Sequence, residues 1–433
     1  MPRANNKSTE EVSNDPAGLA RVFRALRYRN YRLFFIGQGI SLIGTWMQQV
    51  AMSWLVYSLT NSAFLLGVVA FSGLFCTFIL TPFAGVLVDR MNRHRILVVT
   101  QTLAMLQALT LAAVVLSGSA AVWNLVVLSM SLGLINAFDM PTRQSFVLDM
   151  VTKREDLGNA IALNSSLFNG ARLIGPTVAG ILIAAVGEGL CFLINGLSFS
   201  AVIACLLAMR IDLPETGKHQ QDFFKGMKEG ISYAWGFPPI KYIILLLALS
   251  SLVAMPYPVL MPVFVKEVLQ GGPNTLGFLM SAAGVGALAG AIYLASRQNV
   301  LGLGKILVIA SCSFGIGLIC LSFSSTLPLA LLFMALTGFG LVVQLAASNT
   351  ILQTIADDDK RGRVMSFFVM SFMGLAPVGC LLAGAMTSII GAPFTLLIGG
   401  SGCLAGGLVF AAKYASIKDV VRRAYVKKGI ISA

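Results

Sequence analysis

Long apolar runs dominate this chain, and short polar turns separate one run from the next. A run of about 20 apolar residues forms a helix long enough to cross the ~30 Å hydrocarbon layer of a bilayer. The pattern therefore predicts membrane-spanning helices. Twelve are predicted, at 33–58, 64–88, 96–116, 122–142, 157–186, 189–209, 242–265, 275–296, 304–324, 327–349, 362–388 and 391–412.

One longer polar segment divides these stretches into six and six. We predict an N-terminal six-helix bundle at 33–209, a linker at 210–241 and a C-terminal six-helix bundle at 242–412. The flanking segments, 1–32 and 413–433, are predicted to be tails. The first 20 residues are polar and lack the apolar core of a signal peptide.

The positive charges predict the orientation. If the N-terminus is cytoplasmic, every Lys and Arg among the 31 falls on the cytoplasmic side except Arg172, which lies within a predicted span, and Lys266. Such an excess of cytoplasmic positive charge is typical of multi-pass membrane proteins. Both tails and the linker are therefore predicted to be cytoplasmic.

Glycines repeat between the two halves. A shift of 204 residues places Gly170, Gly175 and Gly180 on Gly374, Gly379 and Gly384, and a shift of 210 residues places Leu66-Gly67 on Leu276-Gly277. Two related halves predict a pathway at their interface and rocking of one half against the other.

Composition excludes several classes of protein. Only 11% of the residues are charged and 57% are hydrophobic, so lipid rather than water must contact much of the surface. The net charge of +13 has no compact basic domain with interleaved aromatics, so nucleic acid is not an expected partner. The seven cysteines and two histidines form no metal-ligand pattern, and no GxxxxGK[ST] loop occurs. We therefore expect no metal, no cofactor and no enzymatic activity.

A basic loop follows the second predicted span and reads GVLVDRMNRHR from Gly85 to Arg95. It resembles the signature loop of the major facilitator superfamily, which matches at Gly85, Asp89, Arg90, Arg93 and Arg95. The family's usual second glycine is Asn92 here, and asparagine also accepts left-handed turns. Gly85 is expected to allow close helix packing, and Asp89 to meet a helix N-terminus as a releasable latch between the halves. The alternative is that these charges only set the topology.

A second motif, GARLIGPTVAG, runs from Gly170 to Gly180 and resembles the superfamily's antiporter motif. Gly170, Gly175 and Gly180 are expected to allow close helix packing, and Pro176 to bend the helix. The resemblance implies export, although the motif could also be a packing device with no directional meaning.

Two ionisable side chains lie within predicted spans. Arg172 lies near mid-membrane, where an arginine is normally turned toward a cavity or a partner. It could receive an anionic substrate, modulate a carboxylate, or bond to freed carbonyls or a neighbouring helix. Asp139, near the end of the fourth span and one turn before Arg143, is interpreted as a gate partner of the signature loop or as a proton site.

In this superfamily spans one, four, seven and ten line the pathway. Their polar residues give the expected cavity: Thr45, Gln48, Gln49, Asn136, Tyr257, Gln344 and Asn349. Prolines 256, 258 and 262 are expected to break span seven and free backbone groups toward the cavity. The set predicts a largely apolar cavity for a bulky amphipathic substrate.

Several long stretches, among them DMPTRQSFVLDMVTKREDLGNAIALNSSLFNGARLIGPTVAG, resemble one bacterial branch of the superfamily. That branch contains the enterobactin (siderophore) exporter, macrolide efflux proteins and transmembrane secretion effectors. The resemblance implies an all-α fold in the bacterial inner membrane, and a monomeric secondary transporter that exports a siderophore-like metabolite or drug against protons. Uptake or flipping of a lipid or metabolite, and a transporter-like sensor or scaffold, are the alternatives.

Overall fold

The computed structural model describes residues 23–88, 91–210, 235–297, 300–357 and 360–428, and the regular structure in these ranges is helical. A 3₁₀ turn at Arg24–Arg27 precedes the first α-helix. The α-helices are α1 (Arg29–Thr60), α2 (Ala63–Val88), α3 (Arg93–Leu116), α4 (Val122–Asp149), α5 (Arg154–Val186), α6 (Glu188–Leu207), α7 (Pro238–Val253), α8 (Tyr257–Glu267), α9 (Pro273–Ala295), α10 (Leu303–Ser322), α11 (Leu327–Ile355), α12 (Arg361–Met373) and α13 (Ala376–Lys427), the last kinked at Gly391.

Ten segments of the described chain are long and apolar enough to cross a membrane, judged by length and composition. One of them joins α7 to α8, and another joins α12 to most of α13. Large apolar side chains cover the outside of the molecule, as at Ile389, which is 83% exposed, and Phe323, which is 74% exposed. The all-α architecture with membrane-spanning helices is confirmed. The number of twelve crossings stays a prediction, because α1 is not one of the ten and α13 contains a kink.

Two helix crossings are equivalent in the two halves. A Cβ on Gly180 of α5 would lie 3.1 Å from the Cα of Gly277 of α9, and a Cβ on Gly384 of α13 would lie 3.0 Å from the Cα of Gly67 of α2. The sequence repeats relate Gly180 to Gly384 and Gly67 to Gly277. The internal repeat therefore appears in the fold as a pseudo-two-fold arrangement of the helices.

The turns follow the same symmetry. Gly187, which ends α5, has φ 83°, and Gly391, at the corresponding place in α13, has φ 81°. Asn61 after α1 and Gln270 after α8 both have φ 48°. Because left-handed backbone is uncommon for residues other than glycine, its occurrence at corresponding turns supports a common ancestry of the halves.

Two helix boundaries differ from the prediction in ways that matter for the pathway. Helix α4 continues to Asp149 instead of ending near 142, so Asp139 lies about 15 Å inside that helix end rather than beside it. Span seven is broken into α7 and α8 at Ala254–Pro256, as the prolines predict. The predicted eleventh span is broken as well, after Met373, and the hydroxyl of Ser251 in α7 donates a 2.6 Å hydrogen bond to the Phe372 carbonyl oxygen beside that break.

Both predicted tails contain packed structure. Arg24 forms an ion pair with Asp156 at the start of α5, and the Tyr28 hydroxyl donates a 2.6 Å hydrogen bond to the same carboxylate, which raises the pKa of Tyr28. In the predicted C-terminal tail, residues 413–433, α13 continues as far as Lys427. Its apolar side packs on the base of the C-terminal half through Ile417, Val421 and Tyr425. Most of the predicted linker, residues 211–234, lies outside the described residues.

Candidate functional site

The two halves meet in a seam at one end of the molecule. We call this the distal end; it carries the turns at Asn61, Gly187, Gln270 and Gly391. The other end, where α3, α5 and α12 begin with arginines, is called the basic end.

The seam is made of backbone against backbone at glycines. A Cβ on Gly180 would lie 2.8 Å from the carbonyl oxygen of Pro273, and a Cβ on Gly67 would lie 2.7 Å from the carbonyl oxygen of Cys380. These distances are too short for any side chain, so glycine is required for the closed seam. We call the contacts of α5 with α9 and of α2 with α13 the glycine seam.

Polar contacts join the halves at the rim of the distal end. The buried Tyr57 hydroxyl donates a 2.6 Å hydrogen bond to the Glu267 carboxylate. Lys266 donates to the Asn61 side-chain oxygen at 2.7 Å, and its ammonium lies 5.3 Å from the centre of the Tyr57 ring. None of these four residues has a predicted role, although Lys266 is the single cation predicted to lie outside.

Among the described residues, contacts between the halves end toward the basic end. The contact of α5 with α9 includes Ser281, whose hydroxyl accepts a 2.7 Å hydrogen bond from Thr177 and donates one of 2.7 Å to the Leu173 carbonyl, and it ends at Gly284. Beyond it, a Cβ on Gly158 of α5 or on Gly362 of α12 would meet nothing within 4 Å. We call the gap between the halves on this side the central space.

Helix α1 turns two predicted cavity residues toward the central space. Gly44 packs on α6 and Trp46 packs on α5, and Thr45 and Gln49 are exposed between these contacts. The exposed apolar residue Ile40 lies on the opposite side of the helix, where lipid is expected. Asn136 and Asn349 are half-buried, and Asn349 accepts a hydrogen bond from Gln353.

Three other predicted cavity residues lie inside the halves, so this part of the prediction is corrected. The side-chain oxygen of Gln48 accepts a 2.6 Å hydrogen bond from Asn195, and its nitrogen donates one of 3.1 Å to Gln107. Gln344 donates to the Ser250 hydroxyl at 2.8 Å. Tyr257 is 2% exposed and packs edge-on against a phenylalanine ring. The amides of Gln48 and Gln344 serve here to bond helices of one bundle together, whereas the buried Tyr257 hydroxyl has no hydrogen-bond partner among the described residues.

The antiporter-type motif has a different function at each glycine. Gly175 packs within its own half, since its Cβ would lie 2.5 Å from the Cβ of Trp46, whereas Gly180 packs across the seam. The Pro176 carbonyl oxygen also faces the seam, 2.5 Å from where a Cβ on Gly277 would lie. Gly170 has open space beside it, so the expectation of close packing there is wrong for this conformation.

Arg172 lies where the glycine seam ends and the central space begins. A Cβ on Gly284 of α9 would lie 3.0 Å from the Arg172 carbonyl oxygen. The half-buried guanidinium lies 5.7 Å from the centre of the Trp46 ring, and that ring meets Phe168 edge-on at 5.6 Å. In the described ranges, this ring contact is the one interaction of its side chain.

Asp139 is buried in a cluster that joins three helices. Its Oδ1 accepts hydrogen bonds from Thr100 at 3.0 Å and Gln101 at 2.7 Å, and its Oδ2 lies 3.5 Å from Arg143. Arg143 also donates to the side-chain oxygen of Gln38 on α1 at 3.0 Å. The carboxylate is therefore charge-balanced by a residue of its own helix.

The signature loop is described in part, because Asp89 and Arg90 lie outside the described residues. Gly85 has nothing within 4 Å of its Cβ position, so its expected role in close packing is wrong here. Asn92 does not adopt a left-handed turn; it caps α3, and its side chain accepts from the Arg95 backbone at 3.1 Å. Arg93 contacts both oxygens of Asp149 at 3.0 and 3.1 Å, which ties the loop to the end of α4.

Comparison with known proteins identifies the family. A family model described as "Transmembrane secretion effector" matches residues 20–422. The staphyloferrin A transporter of Staphylococcus aureus is 26% identical over 88% of this chain and 95% of its own. The multidrug efflux pump Tap of Mycolicibacterium fortuitum is 25% identical over 83% and 88%, and macrolide efflux protein A of Streptococcus pyogenes is 25% identical over 87% and 94%.

Solved structures show the same fold. A bacterial homologue of the human lysosomal transporter Spinster, in an inward-facing and unoccupied conformation, superposes with a TM-score of 0.67 at 14% identity, covering 92% of this chain and 98% of that one. The nucleoside transporter NupG superposes with a TM-score of 0.66 at 13% identity, covering 90% of this chain and 99% of that one.

Proposed function

The chain belongs to the transmembrane secretion effector family of the major facilitator superfamily, and on that premise we propose that it is a proton-coupled exporter of an amphipathic small molecule. It works by alternating access, with the central space open first to one side of the membrane and then to the other. The observation that carries this proposal is the asymmetry of the interface among the described residues: the halves touch along the glycine seam at the distal end and stand apart toward the basic end.

The proposed orientation follows from the charges. With the basic end cytoplasmic, the structure corresponds to an inward-facing state that admits substrate from the cell. We place the protein in the bacterial inner membrane as a monomer with twelve crossings and both termini inside. The names of two relatives, a multidrug efflux pump and a macrolide efflux protein, support export.

For the coupling ion we propose a proton carried by Asp139. It is the one carboxylate that the sequence places well inside an apolar stretch. Its partners on α3 and α4, and Gln38 on α1 through Arg143, would all sense a change in its charge. Protonation would release Arg143, and the freed charge would favour rearrangement of these helices at the basic end.

Inverted membrane vesicles test the proposal, because the cytoplasmic side of the protein then faces the assay medium. Radiolabelled erythromycin, ethidium and 2-naphthoate serve as probes, with vesicles lacking the protein as control. We expect accumulation of at least one probe when respiration acidifies the lumen, and loss of that accumulation on adding a protonophore. Accumulation that survives the protonophore overturns proton coupling, and no accumulation above the control for any probe overturns export.

A further inference from the structure

We propose that Arg172 is the anion-binding residue of the central space and that the exported molecule carries a carboxylate beside an apolar or aromatic group. This inference rests on the proposed function for the identity of the pathway, and it adds the chemical class of the substrate. No feature of the sequence distinguished this role from a structural one.

The first observation is the direction of the side chain. Successive residues of an α-helix are about 100° apart, so Arg172 lies about 60° from Gly175, which packs on α1, and about 80° from Gly180, which packs on α9. The exposed residues Ile174 and Ile181 lie on the other side of α5. Arg172 therefore projects between α1 and α9, into the central space and away from lipid.

The second observation is the missing counter-charge. Among the described residues, no carboxylate lies within 4 Å of the Arg172 guanidinium, and none of its N–H groups donates a hydrogen bond. The other intramembrane charges in these ranges, Asp139 and Arg143, neutralise each other. A guanidinium presents five donors in a fork that matches an oxyanion, and an unpaired charge at this depth is unfavourable without one.

The third observation is the aromatic wall beside the charge. Trp46 is held against α5 by the close approach at Gly175, and its ring lies 5.7 Å from the guanidinium and edge-on to Phe168, which is 44% exposed. A ligand with an anionic head and an apolar body would place the head on the fork and the body on the rings.

The position also links occupancy to the conformational change. The Arg172 carbonyl belongs to the last contact of the glycine seam, through Gly284, while the side chain of the same residue reaches into the central space. The residue that would bind the anion therefore also forms one of the contacts that must break when the distal end opens.

Binding measurements on the purified protein in nanodiscs test the proposal without any ion gradient. Isothermal titration calorimetry compares the affinities of 2-naphthoate and 4-phenylbutyrate with those of their neutral amides. Empty nanodiscs provide the background. We expect each carboxylate that binds to do so at least tenfold more tightly than its amide. Arg172→Gln should remove that preference, a loss of about ten- to hundredfold for the carboxylate, and Arg172→Lys should keep part of it.

The control is Arg154→Gln, which removes the same charge from the exposed start of α5 and should leave the preference unchanged. Equal binding of carboxylate and amide, an unchanged preference in Arg172→Gln, or no binding by either carboxylate overturns the inference. Because the assay needs no transport, a protein that binds carboxylates through Arg172 but moves no probe in vesicles contradicts the proposed export alone. If ethidium is the one probe exported, and Arg172→Gln leaves its export unchanged, the anion site alone is contradicted.

Discussion

The glycine seam predicts that one added methyl group will push the transporter out of the observed conformation. In Gly180→Ala the new Cβ would lie 2.8 Å from the Pro273 carbonyl oxygen and 3.1 Å from the Cα atoms of Asn274 and Gly277. All three are backbone atoms, so no side-chain rotation can relieve the contact. The halves must separate at the distal end.

The size of the effect follows from the cost of overpacking, about 1–3 kcal/mol. The cost arises only while the seam is closed, and the better helix propensity of alanine acts in both conformations and cancels. The equilibrium between distal-closed and distal-open states should therefore shift about 5- to 150-fold toward the open state.

Distances between two spin labels, measured by double electron–electron resonance, report this shift. In a cysteine-free background, spin labels at Ser119 and Ser325 report on exposed turns at the distal end of the two halves. Gly180→Ala should move the distribution to longer distances. Gly158→Ala, on the same helix with nothing within 4 Å of the added group, should not. Distances in Gly180→Ala that match those of Gly158→Ala would refute the role of the seam.

Three further changes test other parts of the structure. Tyr57→Phe removes the hydrogen bond to Glu267 and should shift the equilibrium toward the distal-open state by about 1–2 kcal/mol. The same pair of spin labels measures this shift, and an unchanged distance distribution contradicts it. Asp139→Asn should abolish proton-driven transport while the melting temperature stays near that of the parent, because asparagine keeps an oxygen that accepts hydrogen bonds. Asp139→Ala should lower the melting temperature because it also removes the acceptor of the Thr100 and Gln101 hydrogen bonds. Tyr425→Ala should lower the free energy of local opening at the end of α13 by about 2–4 kcal/mol, measured by hydrogen exchange. Unchanged protection of the amides there contradicts this prediction.

Much of the fold could be predicted from the sequence because a bilayer leaves few choices. Backbone groups in hydrocarbon must be bonded within helices, so apolar length and charge bias indicate most helices and their order. The breaks at α7/α8 and α12/α13 show the limit. Prolines predict the first, but the second depends on packing of α12 against α7, which no local pattern records.

The site was less predictable, because a helix face cannot be assigned without knowing its neighbours. Gln48 and Gln49 are adjacent in sequence, yet Gln48 is bonded inside the N-terminal half and Gln49 is exposed. Likewise, Gly170, Gly175 and Gly180 look alike in the motif but face open space, α1 and α9 respectively. The crossing angles of the helices decide these roles.

The chemistry of the glycine seam has a consequence for where such a protein can operate. Its contacts are between backbone atoms at Gly67, Gly180, Gly277 and Gly384, and none of these residues carries a charge or a titratable group. Salt screens exposed charges, so the rim contact at Glu267 responds to the ionic strength of the medium. The seam behind it does not. A cell that cannot control the ionic strength of its surroundings thus keeps the contribution of the glycine seam to the barrier, even where salt weakens the contribution of the rim.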